Sequence, residues 1–244
     1  MRATLFLRSF AFWSVFTLSI VIYAPLSLLT IPLPFAVRYR FINVWTRFNI
    51  WWLKHTCKLT YQVEGREHLP PGNAVVMVKH QSTWETLSMQ VIFPIQTWIA
   101  KRELLWVPFF GWSLALLEPI ALDRKAGQQA LNQLVQQGTK RLQQGRWIIV
   151  FPEGTRVAPG QTGQYQPGGA MLAARSGYPV VPVAHNAGEF WPRRSFLKYP
   201  GTIRVVIGPV IETRNRSARE ILADTEQWIE TTMANISAGK NIPK

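Results

Sequence analysis

A histidine followed five positions later by a carboxylate, His80-Gln-Ser-Thr-Trp-Glu85, pairs a base with a group able to orient it. A carboxylate on one imidazole nitrogen fixes the tautomer and stabilises the imidazolium, leaving the other nitrogen to accept a proton. On one continuous helix this spacing would hold the two side chains about 140° apart. With His80 on a turn before the helix, Glu85 in the first turn reaches the ring. The same residues also read as a capping box, Ser82-x-x-Glu85, in which Glu85 serves only the helix start. The two roles are compatible. No Gly-x-Ser-x-Gly elbow supplies a protein nucleophile, so the base is expected to activate a hydroxyl on a substrate. His55, His68, His80 and His185 show no metal-ligand spacing, and no metal is expected.

A second polar island, Phe151-Pro-Glu-Gly-Thr-Arg156, adds anion recognition. The planar fork of Arg156 suits phosphate, and Gly154 lets backbone amides approach it closely. Lys101 adds a cation after another apolar run. Glu153 either bonds a polyol hydroxyl or holds Arg156. Singly, each cation reads as a solvated surface residue; at neighbouring strand ends they read as a phosphate clamp.

The elements that must position these residues are short apolar runs alternating with helical stretches. Strands are expected at 59–63, 74–79, 96–100, 147–151, 179–183 and 203–207, and helices at 83–92, 126–144, 168–176 and 217–235. The last opens on a capping box, Ser217-x-x-Glu220. The fold class this implies is α/β, a mainly parallel sheet flanked by helices. Both islands directly follow strands, and such sheets bind ligands beyond the carboxyl ends of their strands.

Residues 1–58 read as a membrane-embedded or interfacial helical region preceding an α/β domain at 59–244. Seven Lys/Arg and no acid precede Glu64, so half of the net charge of +14 lies in the first quarter of the chain. Ser9 to Val37 contains no charged residue, a length that enters a bilayer. Pro25, Pro32 and Pro34 interrupt it, with the first break expected at Pro25. A single kinked span and a re-entrant pair of short helices both fit; no A-x-A site marks a signal peptide. In Arg38–Lys58, Arg40, Arg47, Lys54 and Lys58 form a basic stripe beside Phe41, Trp45, Phe48 and Trp52, an arrangement expected to lie on anionic lipid. The pI of 10.5 therefore reads as lipid contact, with no nucleic-acid partner. Cys57 stands alone, so no internal disulfide forms and a reducing, cytoplasm-facing location fits.

These motifs resemble the glycerophospholipid acyltransferases, and within them the bacterial 1-acyl-sn-glycerol-3-phosphate (lysophosphatidate) acyltransferases. His80 to Glu85 is similar to that family's His-x4-Asp motif, with glutamate in the acid position. Lys101-Arg-Glu-Leu104 running to Pro108 and Gly111 is similar to its second block, Phe151 to Arg156 to its third, and Val180-Val-Pro182-Val183 to its fourth. The sequence departs from the pattern at Lys79, where asparagine is frequent, and at Gln166, where lysine is common. The resemblance implies transfer of a fatty acyl group from an acyl thioester, acyl-CoA or acyl carrier protein, to the sn-2 hydroxyl of lysophosphatidate in phospholipid biosynthesis. It implies His80 and Glu85 as the catalytic pair, and Lys101, Glu153, Gly154, Thr155 and Arg156 at the phosphate and glycerol. Thioester and lysolipid act as co-substrates, with no further cofactor. The expected location is the bacterial inner membrane, with the active site facing the cytoplasm. Another lysophospholipid or lyso-ornithine lipid as acceptor, or a non-catalytic lipid-binding relative, are the competing readings.

Overall fold

Seven strands form in the computed structural model, which describes residues 2–123 and 127–237. They are β1 (Leu59–Glu64), β2 (Val75–Val78), β3 (Gln96–Lys101), β4 (Ile120–Leu122), β5 (Trp147–Val150), β6 (Val180–His185) and β7 (Gly201–Ile207). Their order is β1-β7-β6-β2-β5-β3-β4. The five strands from β6 to β4 run parallel, whereas β7 is antiparallel to β6 and carries β1 parallel to itself. The sheet is thus mixed and mostly parallel, as expected from the sequence. All six expected strands form. The seventh, β4, has three residues, too few to show an alternation.

Helices cover both faces: α1 (Arg2–Leu28), α2 (Phe35–Cys57), α3 (Trp84–Ile92), α4 (Phe110–Leu116), α5 (Gly127–Gln143), α6 (Gly168–Ser176) and α7 (Ala218–Ile236). Residue 126, the expected start of α5, lies outside the described residues. The Ser217–Glu220 capping box opens α7 as expected. Along β2, Val76 and Val78 join one apolar cluster with α2 and α3, while Val75 and Met77 join another with α5 and α6. This is the period-two division of a strand buried on both faces.

The N-terminal region is a helical hairpin. α1 continues through Pro25, which corrects the expected break there. The chain turns instead over Leu29–Leu33, where amides bond to carbonyls three residues back, and Pro34 precedes α2. Pro25 has no amide to donate to the Val21 carbonyl, and the helix ends within a turn of it. The aromatic face of α2 also needs correction. Phe41 stacks on Tyr23 at 4.7 Å and Trp45 meets Phe16 at 5.3 Å, while the Trp52 indole donates to the Ala11 carbonyl. This face is spent on α1; Phe48 and Trp51 remain exposed. The hairpin shares the body's core through Phe12, Tyr39, Ile42, Leu53 and Cys57. A further tie comes from Lys198, whose Nζ lies 3.7 Å from the Trp13 ring centroid and whose amide donates to Ser9 Oγ. α1 is therefore tied to the α/β body through α4 and the segment between β6 and β7.

Candidate active site

β2 lies between β5 and β6, so the segments leaving the carboxyl ends of these strands converge. His80 follows β2, the Phe151–Arg156 loop follows β5, Lys101 ends β3 and His185 ends β6. Strand adjacency brings together islands far apart in sequence.

His80 sits before α3, whose N-cap is Thr83 rather than the expected Ser82. From the first turn, Glu85 Oε1 accepts three hydrogen bonds: from His80 Nδ1 at 2.9 Å and from the amides of Gln81 and Ser82 at 2.8 and 2.7 Å. Glu85 thus both orients the imidazole and satisfies amides at the helix start. Burial would raise its carboxyl, but the neighbouring imidazoles of His185 and His80 and the Ser82 amide hold it below the ordinary carboxylate range. His185 itself is pushed down by burial. It accepts from the Ala187 amide at Nδ1, so Nε2 carries the proton and donates to the Lys79 carbonyl at 2.7 Å. The three donors on Oε1 also favour the ionised carboxylate. An ionised carboxylate only accepts, so His80 donates from Nδ1 and Nε2 is the ring's accepting nitrogen.

The imidazole is fixed on its other sides as well. Its ring stacks on Phe151 at 4.1 Å, its amide donates to Glu153 Oε2, and its carbonyl accepts from the Val157 amide. Beside it opens a cavity of about 240 Å³. Lys101, Gly154 and Arg156 line it with His80, and Arg193 donates to the Arg156 carbonyl. Ile20, Ile42, Trp45, Leu87 and Leu114 give it apolar walls drawn from α1, α2, α3 and α4. Base, cations and apolar wall share one space.

Two expected substrate contacts are placed elsewhere. Glu153 is buried and engaged with Lys79 Nζ at 2.8 Å, the His80 amide and the Gly163 amide. It does not line the cavity, and neither bonding a polyol nor holding Arg156 is its position. Thr155 is exposed and also outside the cavity wall. Among the described residues, no three His, Cys, Asp or Glu side chains gather as a metal site requires.

A family model described as Acyltransferase matches residues 60–186. The chain is 45% identical over 236 residues to a 1-acyl-sn-glycerol-3-phosphate acyltransferase of Pseudomonas aeruginosa, covering 95% of this chain and 92% of that one. It is 30% identical to the human 1-acyl-sn-glycerol-3-phosphate acyltransferase alpha over 70% of this chain and 62% of that one. The chain belongs to the acyltransferase family. Its fold is shared with the 1-acyl-sn-glycerophosphate acyltransferase of Thermotoga maritima, at a TM-score of 0.80 and 23% identity over 98% of this chain and 99% of that structure.

In this acyltransferase, Lys79 and two residues that the sequence reading passed over, Tyr165 and Glu230, support the site from beneath. Lys79 Nζ uses its three protons on Glu153 Oε1 at 2.8 Å, Glu230 Oε1 at 2.8 Å and the Gln161 carbonyl at 3.2 Å. Glu230 also accepts from Tyr165 and Thr162. Burial opposes its charge, yet Lys79, Tyr165 and Thr162 hold its carboxyl down, and burial beside it pushes the Tyr165 phenol up. The departure at Lys79 therefore faces away from the cavity, into an ion network that ends on the backbone of His80. One signal was available: Lys79 and His185 both close apolar strands, where a polar side chain requires a buried partner.

Proposed function

We propose that this acyltransferase moves a fatty acyl group from an acyl thioester to the sn-2 hydroxyl of lysophosphatidate at a membrane surface, giving phosphatidate for phospholipid biosynthesis. The observation that carries the reading is the shared cavity, lined at once by His80, by Lys101 and Arg156, and by apolar side chains. A molecule filling it needs an anionic head, a hydroxyl and a hydrocarbon chain. The names of the Pseudomonas and human relatives describe an acceptor with all three.

Lys101 and Arg156 take the phosphate, with the Gly154 backbone beside it. The sn-2 hydroxyl gives its proton to His80 Nε2 as its oxygen attacks the thioester carbonyl. Glu85 stabilises the imidazolium that results. When the tetrahedral intermediate collapses, the C–S bond breaks and the leaving thiolate takes the proton from His80. A general base of this kind contributes about 10²–10⁴ in rate. The thioester is acyl-CoA or acyl carrier protein, and the chain supplies no covalent acyl carrier of its own.

Location follows from solubility. Burying a lipid chain is worth about 0.8 kcal/mol per methylene, so acceptor and product stay in the bilayer. α1 is long and apolar enough to cross a membrane, and 11% of its most apolar window is buried in the protein. Since α2 returns alongside it, we place the hairpin re-entrantly in one leaflet. The basic residues around it favour the cytoplasmic face of a bacterial inner membrane.

Release of free thiol from acyl-CoA on vesicles, with and without lysophosphatidate, tests the reading. Release that requires lysophosphatidate and falls 10²–10⁴-fold in His80→Ala, at unchanged melting temperature, is the expected result. Equal release without acceptor would make the protein a thioesterase, and full activity in His80→Ala would remove the base.

A further inference from the structure

Between β3 and α4 the chain displays apolar side chains outward. Trp106 is 71% exposed, and Val107, Phe110 and Trp112 are also exposed. The path is tightly built: Phe109 adopts φ 63°, a region that residues other than glycine rarely enter. A Cβ on Gly111 would collide with the Leu105 carbonyl. The outward aromatics therefore stand on a fixed corner.

Isolated exposed apolar residues are ordinary, but a contiguous group marks a contact surface. This group continues onto a second one. α4 packs on α1, with Ser113 and Ser27 hydroxyls 3.0 Å apart, and Ile22, Leu26 and Leu29 of the hairpin are exposed as well. Lys101 and Arg102, both exposed, flank the corner on its other side. Aromatics next to bases are how a segment sits at the level of anionic headgroups. Leu104 and Phe110 are exposed and also line the cavity, as do Ile20 and Tyr23 of α1. Both apolar surfaces thus contribute side chains to the cavity wall.

We propose that Leu104–Trp112 is a second lipid-inserting element, which enters the bilayer surface beside α1 and frames the opening through which an acyl chain reaches His80. This rests on the membrane reading above and adds a second contact to it. Inserting one surface alone would leave the opening half in water; inserting both makes it open directly into hydrocarbon.

The test uses single cysteines at Trp106→Cys and Trp112→Cys carrying an environment-sensitive fluorophore, on vesicles of phosphatidylethanolamine and phosphatidylglycerol. Cys57 is buried, so unsubstituted protein serves as the labelling control. Phe10→Cys on α1 reports the hairpin, and Gln136→Cys on α5 reports water. The expected result is a blue shift at 106, 112 and 10, each quenched by nitroxide-bearing lipids, and no change at 136. A shift at 10 without one at 106 and 112 overturns the second element and leaves the membrane reading standing. No shift at any position sinks both. A shift at 106 that grows with protein concentration and ignores lipid nitroxides makes the corner an interface between copies, which also overturns the proposal. Independently, Trp106→Glu is expected to raise the vesicle concentration for half-maximal rate roughly tenfold, with the rate at saturating lipid unchanged.

Discussion

Two charge clusters occupy opposite edges of the sheet. At the amino edge, before β4 and β5, Glu118 takes Arg38 at 2.7 Å, Arg146 at 2.8 Å and Arg141 at 3.3 Å, and Arg146 lies 3.5 Å over the Phe35 ring. At the carboxyl edge, Glu85 takes His80 and two amides, and Lys79 joins Glu153 to Glu230. The first cluster carries more cationic side chains on its central carboxylate, yet none of its four members lines the cavity. Its carboxylate ties α2, α5 and the start of β5 together and ends there. In the second, three hydrogen bonds converge on Glu85 Oε1 from a ring and two amides, and that ring borders open space. Charge density marks neither edge as a site. What distinguishes the carboxyl edge is an imidazole held by a buried carboxylate and bordering the cavity.

The largest effect is expected from removing the charged group that orients this ring. Glu85→Gln retains the shape but withdraws the ionised acceptor, so the imidazolium formed in the reaction loses its counter-charge. Turnover is expected to fall about 10²–10⁴-fold, with half-saturation for lysophosphatidate little changed, because Lys101 and Arg156 are untouched. Steady-state rates at varied lysophosphatidate separate the two quantities. A variant within threefold of wild type would make Glu85 a helix-start residue alone.

Lys79 tests the layer beneath. Lys79→Met removes the cation shared by two carboxylates, one of them with a fully buried side chain. Breaking a buried pair from one side costs about 3–5 kcal/mol, read as a lower midpoint in urea unfolding. Activity per folded molecule is expected to fall as well, since Glu153 holds the His80 amide. Loss of stability with full specific activity would separate the ion network from the positioning of the base.

These residues also show how far the sequence could be read. The strands beside the site were legible because each is an apolar run ending in polar residues, and His80 with Glu85 was legible because a turn places both on one side. Glu230 was not. It lies 151 positions from Lys79, on a helix whose apolar periodicity gives no sign of where its polar face ends, and only the packing of α7 beside β6 brings the two together. Glu153 misled for the related reason that a conspicuous motif does not state which way each side chain turns. The aromatics of α2 misled because an aromatic stripe fits a neighbouring helix as well as it fits lipid. α4 went unread because its seven residues make just under two turns, too few to show a periodicity.

The amino-edge cluster supplies the smallest effect and the pH dependence. Burial would raise the Glu118 carboxyl, but Arg146, Arg38 and Arg141 outweigh it and hold the group below its ordinary value. The unfolded chain therefore takes up this proton at a higher pH than the native protein does. The stabilisation is fully present above the unfolded carboxylate pKa of about 4.3 and is lost as pH falls through the folded value. Glu118→Gln, with its site partly open to solvent, is expected to cost about 1–2 kcal/mol at pH 7 and to leave turnover unchanged. Chemical unfolding of both proteins at pH 7 and again below pH 4 should show the gap closing in acid. The depressed pKa of Glu85 is common to both chains and cancels in that difference. A gap that is independent of pH would mean the arginines hold Glu118 by hydrogen bonding that its amide reproduces; a loss of turnover at pH 7 would join the two edges of the sheet that the geometry keeps apart.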